Sequence, residues 1–251
     1  GCFNIQFAIR DETLYVLEVN PRGSRTFPFV AKSTGVPLAR IAARVALGDN
    51  LEDLPIPIPQ NIAVSVKAPV FPFIKLRGLD PAPGPEMKST GEVMGSHVRA
   101  SAAYLKARLA TESPVPTEGG VYLTVNDKDK IGVISHAKKL QEMGFKLYAT
   151  RGTSRTLRES GELSVETCYR ISEGSSPDAL DLMRQGKINL IINTPSSTGG
   201  AVLDGNMMRR LAVELNIPFV TTMAGAKMEV EAISEARLGM PEPRSLDINS
   251  L

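Results

Sequence analysis

Three side chains with oxygen atoms lie in the first twenty residues at a spacing that suits a cation. Residues 3–9 and 14–20 read as two strands joined by a polar turn, which predicts a β-hairpin. Because side chains alternate along a strand, Glu18 and Asn20 share one face, and the turn brings Gln6 opposite Glu18. Carboxylate and amide oxygens are ligands that Mg²⁺ prefers, so this face is a candidate site for a hard divalent cation.

Arg22 and Arg25 follow the second strand within five residues. Guanidinium groups beside a magnesium site suit phosphoryl transfer, because the metal bridges phosphate oxygens while arginine neutralises the developing charge. The alternative is a solvated strand face with an exposed carboxylate and a turn arginine, and the spacing alone does not decide between the two. The hairpin starts at residue 3 without a methionine before it, so we expect the rest of its sheet to lie upstream, outside this chain.

A second group of polar residues follows the predicted strands of the C-terminal half. The segment 150–154 (TRGTS) lies between a strand and a helix, where hydroxyls, a glycine and free helix N–H groups could hold a phosphate. Lys130 follows the first strand of this half, Arg170 the third, and Asn193 closes the fourth. All four places lie at one sheet edge, which predicts a single anion site. The alternative leaves Gly152 as a turn residue and the two cations as solvated chain positions.

The candidate residues of the C-terminal half need a regular scaffold to position them. Predicted strands and helices alternate regularly over residues 120–237. Strands are predicted over 121–125, 145–150, 165–169, 188–193 and 218–222, and helices over 131–143, 153–160, 177–184, 208–215 and 224–237. The pattern predicts a doubly wound, mostly parallel, five-stranded α/β sandwich. The ligand site of such a fold lies beyond the carboxyl ends of the strands.

The N-terminal half is less regular. A packed helix is predicted over 36–48, proline-rich edge strands and extended connections over 55–85, and a helix over 100–109. The turn-rich segment that follows is the expected boundary between two domains, 1–112 and 113–251.

Composition narrows the classes of function. The chain has 251 residues, of which 42% are apolar, enough for one large or two ordinary domains. A net charge of +2, 5% aromatic residues and no tryptophan argue against a nucleic-acid partner, and the absence of a long apolar run argues against a membrane. Two distant cysteines and no signal peptide suggest a cytoplasmic protein.

One family accounts for these motifs together. The run from Glu18 to Phe29 (EVNPRGSRTFPF), with Gln6 twelve residues before it, resembles the closing hairpin of the second ATP-grasp domain in the large subunit of carbamoyl-phosphate synthase. Residues 32–45 and 84–95 are similar to downstream segments of the same subunit. Residues 120 to about 235 resemble its regulatory domain, which has a methylglyoxal-synthase-like fold. The resemblance covers nearly the whole chain in the family's order.

The resemblance implies roles for the N-terminal candidates. Gln6, Glu18 and Asn20 would bind ATP through the Mg²⁺ or Mn²⁺ ions that bridge its phosphates, and Arg22 and Arg25 would stabilise the phosphoryl group in transfer to carbamate. The whole enzyme would make carbamoyl phosphate for pyrimidine and arginine biosynthesis, with ammonia from a glutaminase small subunit, as an oligomer. The strands that cradle the adenine and the first synthetase half are not in this chain, so we expect no synthesis by it alone.

The resemblance also implies that the C-terminal site binds a nucleotide effector, UMP, UTP or IMP. The matching residues are Lys130, Thr150, Gly152, Thr153, Arg170 and Asn193. Arg170 stands where a bacterial relative has lysine, and Pro195 stands where a second hydroxyl is expected. Ala68 replaces a glutamate that enterobacterial enzymes use toward ornithine, so ornithine activation is not expected.

Two alternatives remain. The second domain could be a lyase like methylglyoxal synthase, because Asp127 and Lys130 match the spacing after that enzyme's first strand. The lyase needs a further carboxylate after the fourth strand, and residues 194–200 (TPSSTGG) offer none. A freestanding nucleotide-sensing module is the other alternative, and it would have no use for the oxygen-rich face of the hairpin.

Overall fold

The computed structural model describes residues 1–58, 63–71, 89–111, 113–195 and 199–243. The strands are β1 Asn4–Arg10, β2 Thr13–Asn20, β3 Val64–Val70, β4 Gly91–His97, β5 Gly120–Thr124, β6 Lys146–Thr150, β7 Val165–Cys168, β8 Leu190–Asn193 and β9 Phe219–Val220. The helices are α1 Thr26–Thr34, α2 Leu38–Ala46, α3 Ala100–Leu109, α4 Lys130–Glu142, α5 Arg151–Gly161, α6 Ala179–Arg184, α7 Gly199–Glu214 and α8 Met223–Leu238. Within these ranges no helix is both long enough and apolar enough to cross a membrane.

The C-terminal half forms a parallel sheet covered by helices on both faces. Its strand order is β7-β6-β5-β8-β9, and every neighbouring pair is parallel. Residues of α4, α5 and α8 pack on one face, and residues of α6 and α7 pack on the other. The predicted α/β fold is therefore confirmed, with all five strands parallel.

The central strands are continuous apolar runs because helices cover both of their faces. Leu123 in β5 packs with Leu190 and Ile192 of β8 under α4 and α8, while Tyr122 and Ile191 point to the opposite face. All five of these side chains are at most 2% exposed. This packing fixes the carboxyl ends of β5 and β8 next to each other, at the edge where polar residues were predicted to meet.

The N-terminal hairpin pairs β1 with β2 antiparallel. Gln6 lies opposite Glu18, as predicted, but Phe7 pairs with Val16, so Leu17 is an extra residue on the second strand. This is a β-bulge, which increases local twist and redirects side chains. The sequence pattern gave no sign of it, because a bulge interrupts the alternation for one residue only.

Two helices differ from their predicted extents. No helix was predicted before residue 36, but α1 spans Thr26–Thr34, with Pro28 in its first turn, where proline is tolerated. Helix α7 was predicted to begin at residue 208, but it begins at Gly199. The prediction was late because two glycines at the start of the helix and Gly205 obscured its apolar spacing. Parts of the proline-rich segment and of residues 84–95 lie outside the described residues.

Helix α3 has the predicted bounds and packs on both β4 and α8. Its contact with β4 is close at Gly95, where an added Cβ would lie 2.1 Å from the carbonyl oxygen of Ala103 and 2.5 Å from the amide nitrogen of Ala107. The predicted boundary between residues 112 and 113 stays a prediction.

Buried charges also join α3 to α8. The Glu229 carboxylate, which is 0% exposed, accepts hydrogen bonds from Tyr104 Oη at 3.0 Å and from Arg108 Nε at 3.1 Å. Burial raises the pKa of Tyr104, and the neighbouring carboxylate raises it further. Towards the surface, Glu235 pairs with Arg99 and accepts from Ser101 Oγ at 2.9 Å. We call these six residues the α3–α8 seam.

Gly95→Ala is expected to destabilise the fold by about 1–3 kcal/mol, because the methyl group would meet backbone atoms of α3 rather than a movable side chain. Chemical denaturation measures the loss. Gly91→Ala on the same strand is the matched control, since its Cβ would lie 4.0 Å from Val70 Cβ. Equal stability of the two variants would contradict the close packing of α3 on β4.

Candidate functional site

The oxygen-bearing side chains of the hairpin meet on one face, next to the end of β2. Gln6 Nε2 donates to Glu18 Oε1 at 2.7 Å, and Asn20 Nδ2 donates to the same oxygen at 2.9 Å. The cross-strand pairing of Gln6 with Glu18 and the alternation from Glu18 to Asn20 produce this convergence. One carboxylate and two amides thus form a compact polar cluster.

This cluster offers a ligand set of the kind that Mg²⁺ takes. Magnesium is usually held by one or two carboxylates and completes its coordination with waters and phosphate oxygens. Glu18 supplies a carboxylate, and Gln6 and Asn20 supply carbonyl oxygens after rotation of their terminal amides. Among the residues that the structure describes, no group of three or more His, Cys, Asp or Glu side chains is placed to hold a metal.

The two arginines after the hairpin are held differently. Arg22 is exposed, and its Nη1 donates to the carbonyl of Gly23 at 3.1 Å, a contact within its own turn. Arg25 is half-buried directly before α1, and both of its terminal nitrogens donate to Ser89. The structure thus fixes one guanidinium by a distant segment and leaves the other at the surface.

The predicted anion-binding residues surround one cavity of about 170 Å³ beyond the carboxyl ends of β5, β6, β7 and β8. All six line it: Lys130, Thr150, Gly152, Thr153, Arg170 and Asn193. The cavity is also lined by residues that sequence reasoning did not single out, among them Tyr122, Asp204 and Met208. The four strand ends therefore share one polar pocket.

Lys130 and the start of α5 form its cationic side. Of the segment 150–154, which was predicted to lie between a strand and a helix, residues 151–154 form the first turn of α5, and Thr150 is its N-cap, without a side-chain cap hydrogen bond. A Cβ on Gly152 would lie 3.1 Å from Lys130 Nζ, so glycine leaves room for the ammonium beside the helix N-terminus. Lys130 Nζ pairs with Asp127 at 2.7 Å and lowers the pKa of that exposed carboxyl.

Hydrogen bonds between side chains and the backbone hold the strand ends in place around the cavity. Thr153 Oγ1 accepts from the amide of Val125 at 3.4 Å, and Asn193 Nδ2 donates to the carbonyl of Thr124 at 3.2 Å. Thr194 Oγ1 accepts from the next backbone amide, that of Asn126, at 2.9 Å. Buried polar groups that are paired in this way hold a preformed pocket.

The opposite wall carries a carboxylate and apolar groups. Asp204 of α7 accepts from the amide and the hydroxyl of Ser172, at 3.0 and 3.1 Å, and so ties α7 to the turn that follows Arg170. Tyr122 and Met208 also line the cavity, with side chains that are 2% and 3% exposed. Sequence reasoning missed Asp204 because the start of α7 was interpreted as loop.

Asp204 also changes one expectation about catalysis. The segment 194–200 carries no carboxylate, as noted from the sequence, but α7 brings one into the cavity from a position four residues later. Its two hydrogen bonds to Ser172 commit both carboxylate oxygens as acceptors. A carboxylate is therefore present at this edge, engaged in holding the wall together.

The remaining reactive side chains lie away from the cavity edge. Cys168 is 4% exposed, and burial raises the pKa of its thiol to about 11, which leaves it protonated and unreactive near neutral pH. His136 lies within α4, where partial burial lowers its pKa. Cys168 is the last residue of β7, which is an edge strand of the sheet, and neither side chain lines the cavity.

Two segments of the chain match known protein families. Residues 1–54 match a family described as the ATP binding domain of the carbamoyl-phosphate synthase L chain. Residues 132–221 match a family described as the MGS-like domain.

Similar proteins cover nearly the whole chain. A carbamoyl phosphate synthase large chain, C-terminal section, from Methanocaldococcus jannaschii is 46% identical over 98% of this chain and 41% of its own length. Large chains from Methanothermobacter thermautotrophicus and Pasteurella multocida are 46% and 47% identical over 98% and 90% of this chain. The chain spans 23% and 21% of those two relatives. A methylglyoxal synthase from Elizabethkingia anophelis, a solved structure, aligns at 17% identity over 52% of this chain and 97% of its own, with a TM-score of 0.38.

Proposed function

Since the chain corresponds over nearly its whole length to the C-terminal part of the carbamoyl phosphate synthase large chain, we propose that its C-terminal cavity binds a nucleotide effector. In this proposal the effector is UMP, UTP or IMP, and it controls carbamoyl phosphate formation in the whole enzyme. The observation that carries the proposal is the convergence of Lys130, the N-terminus of α5 and Arg170 on one cavity.

The cationic side of the cavity suits the phosphate. Phosphate is stabilised at helix N-termini, where backbone N–H groups and the helix dipole both favour negative charge. Lys130 adds a point charge beside the first turn of α5, and Arg170 offers a planar fork that can bind two oxygens. Thr150 and Thr153 provide hydroxyls within the same turn. A dianionic phosphate would therefore accept hydrogen bonds from donors that the fold already brings close together.

The opposite wall suits the nucleoside. Tyr122 and Met208 would lie beside a flat base, and Asn193 would provide a polar group for a ribose hydroxyl or a base edge. Because UMP, UTP and IMP share the phosphate and ribose, the choice among them depends on this wall and on space for further phosphates.

The hairpin contributes one wall of the phosphoryl-transfer site. Glu18, Gln6 and Asn20 would hold Mg²⁺, with Mn²⁺ as the substitute, against the phosphates of ATP, and the metal supplies neutralisation of their charge when bound. Arg25 would orient and stabilise the phosphoryl group that passes to carbamate, and Arg22 would add a second guanidinium from the surface. The rest of this active site belongs to the remainder of the large chain.

Partners follow from the same proposal. The exposed apolar side chains of the hairpin, including Phe7, Ile9 and Leu17, suit packing against the preceding part of the large chain. Ammonia would come from a glutaminase small subunit, and we place the oligomeric assembly in the cytoplasm. This chain alone is expected to bind nucleotide and to make no carbamoyl phosphate.

Lys130→Ala is expected to weaken nucleotide binding by about tenfold to 100-fold, because it removes a charged donor to the phosphate. Thr150→Val, which keeps the shape, is expected to weaken it by about three- to tenfold. Titration calorimetry with UMP, UTP and IMP measures both.

Arg155→Ala is the matched control for charge. Arg155 lies on α5 but pairs with Glu159 and does not line the cavity. Equal losses in the Arg155 and Lys130 variants would mean that net charge, not the cavity, governs binding, and would contradict the proposal.

A lyase reaction is the second candidate, favoured by the presence of Asp127 and Asp204 at the cavity. An assay for methylglyoxal released from dihydroxyacetone phosphate tests it. We expect no release, because Asp204 is committed to Ser172 and Asp127 is exposed and paired with Lys130. Release that disappears in Asp204→Asn would favour the lyase instead.

A further inference from the structure

The guanidinium of Arg25 is held by a residue 64 positions away in the sequence. Its Nη1 donates to Ser89 Oγ at 2.8 Å, and its Nη2 donates to the carbonyl oxygen of Ser89 at 3.0 Å. Two bonds from the two terminal nitrogens of one planar group fix both its position and its tilt. Arg22, by comparison, donates a hydrogen bond to the carbonyl of the adjacent Gly23.

Ser89 is itself anchored at the end of a β-ladder. The amide of Thr90 donates to the carbonyl of Val70 at 2.9 Å, and Val70 pairs with Gly91 at the end of the β3–β4 ladder. This places Ser89 two residues before β4, a strand that contacts α3 closely at Gly95. The partner of Arg25 therefore lies beside the end of the β3–β4 ladder.

A second contact ties the same two segments together. Lys67 Nζ of β3 donates to Thr26 Oγ1 at 3.1 Å, directly after Arg25 in the sequence. Lys67 also pairs with Glu92 of β4 at 3.1 Å. The turn between the hairpin and α1 is thus held at neighbouring residues by the β3–β4 sheet.

We propose that Ser89 is a positioning residue for Arg25, and the proposal rests on the phosphoryl-stabilising role assigned to Arg25 above. Arginine has five N–H donors, and the two bonds to Ser89 use two of them. Three donors remain to bind phosphate oxygens, on a guanidinium whose orientation is already set. A guanidinium that is oriented before the substrate binds raises the rate of the chemical step, because the entropy of orienting it has already been lost on folding.

The test uses the full large chain assembled with its small subunit. Ser89→Ala is expected to lower kcat for carbamoyl phosphate formation by about tenfold, with the KM for ATP and the thermal midpoint unchanged. Ser89→Thr is expected to restore kcat, since it returns the hydroxyl. Thr90→Ala is the matched control, because the Thr90 hydroxyl donates to the carbonyl of Val70 while Arg25 donates to Ser89, and its loss is expected to leave kcat unchanged.

A double-mutant cycle separates positioning from a general structural effect. In an Arg25→Ala background, Ser89→Ala is expected to cause no further loss of kcat. An additional tenfold loss there, or a fall in thermal midpoint that accounts for the loss in Ser89→Ala, would overturn the proposal. A large loss in Arg25→Ala with wild-type kcat in Ser89→Ala would overturn the role of Ser89 alone. Full activity of Arg25→Ala would overturn the assigned role of Arg25 and the proposal with it.

Discussion

Glu18→Gln in the full-length large chain is expected to lower carbamoyl phosphate formation by about 1,000-fold. Glu18 is the one carboxylate of the hairpin cluster, and its Oε1 is the point where Gln6 and Asn20 meet. An amide keeps the shape but removes the negative charge that binds a divalent cation and aligns its two neighbours. Steady-state kinetics with varied Mg²⁺ measures the change, and excess metal is expected to recover part of the rate.

Glu12→Gln is the matched control for this prediction. Glu12 lies in the turn of the same hairpin, is exposed and contributes the same charge. It is expected to leave the rate unchanged. UMP affinity is expected to stay the same in both variants, and a rate close to wild type in Glu18→Gln would refute the metal-binding role of the hairpin.

Glu229→Ala is expected to destabilise the chain by about 3–5 kcal/mol, because it leaves the Arg108 guanidinium without its buried partner. Glu229 is fully buried and Arg108 is 17% exposed, so neither group regains much water in the folded state. The loss falls on the contact between α3 and α8. Urea denaturation, followed separately by circular dichroism and by proteolysis around α3, measures it.

Glu235→Ala tests whether the loss of stability depends on how deeply an ion pair is buried in the α3–α8 seam. Its partner Arg99 is 61% exposed and can be hydrated when the carboxylate is removed. The loss is therefore expected to be clearly smaller than for Glu229→Ala. Equal losses at the two positions would show that burial of the Arg108 pair contributes nothing particular to stability.

Much of the C-terminal sheet could be predicted from sequence because its strands are short, continuous apolar runs separated by helices of regular spacing. The alternation of β2 likewise placed Glu18 and Asn20 on one face, and the short turn placed Gln6 opposite. Because ligand sites of parallel sheets lie beyond the carboxyl ends of the strands, Lys130 and Asn193 were predicted to lie at one site. Each of these inferences depends on local periodicity or on a general property of the fold.

The features that sequence reasoning missed depend on contacts between distant segments. The pairs Arg108–Glu229 and Arg25–Ser89 are separated by 121 and 64 positions, and no local pattern links them. Asp204 was missed for a different reason: the glycines at the start of α7 suggested a loop, so its carboxylate was not placed at the sheet edge. Tertiary packing decides all three.

A crystal structure of this chain with UMP would show where the nucleotide binds. We expect the phosphate within hydrogen-bond distance of Lys130 Nζ and of the first backbone N–H groups of α5, with the base towards Tyr122 and Met208. Density for the nucleotide elsewhere on the chain, or a phosphate that points out of the cavity away from α5, would contradict the proposed nucleotide site.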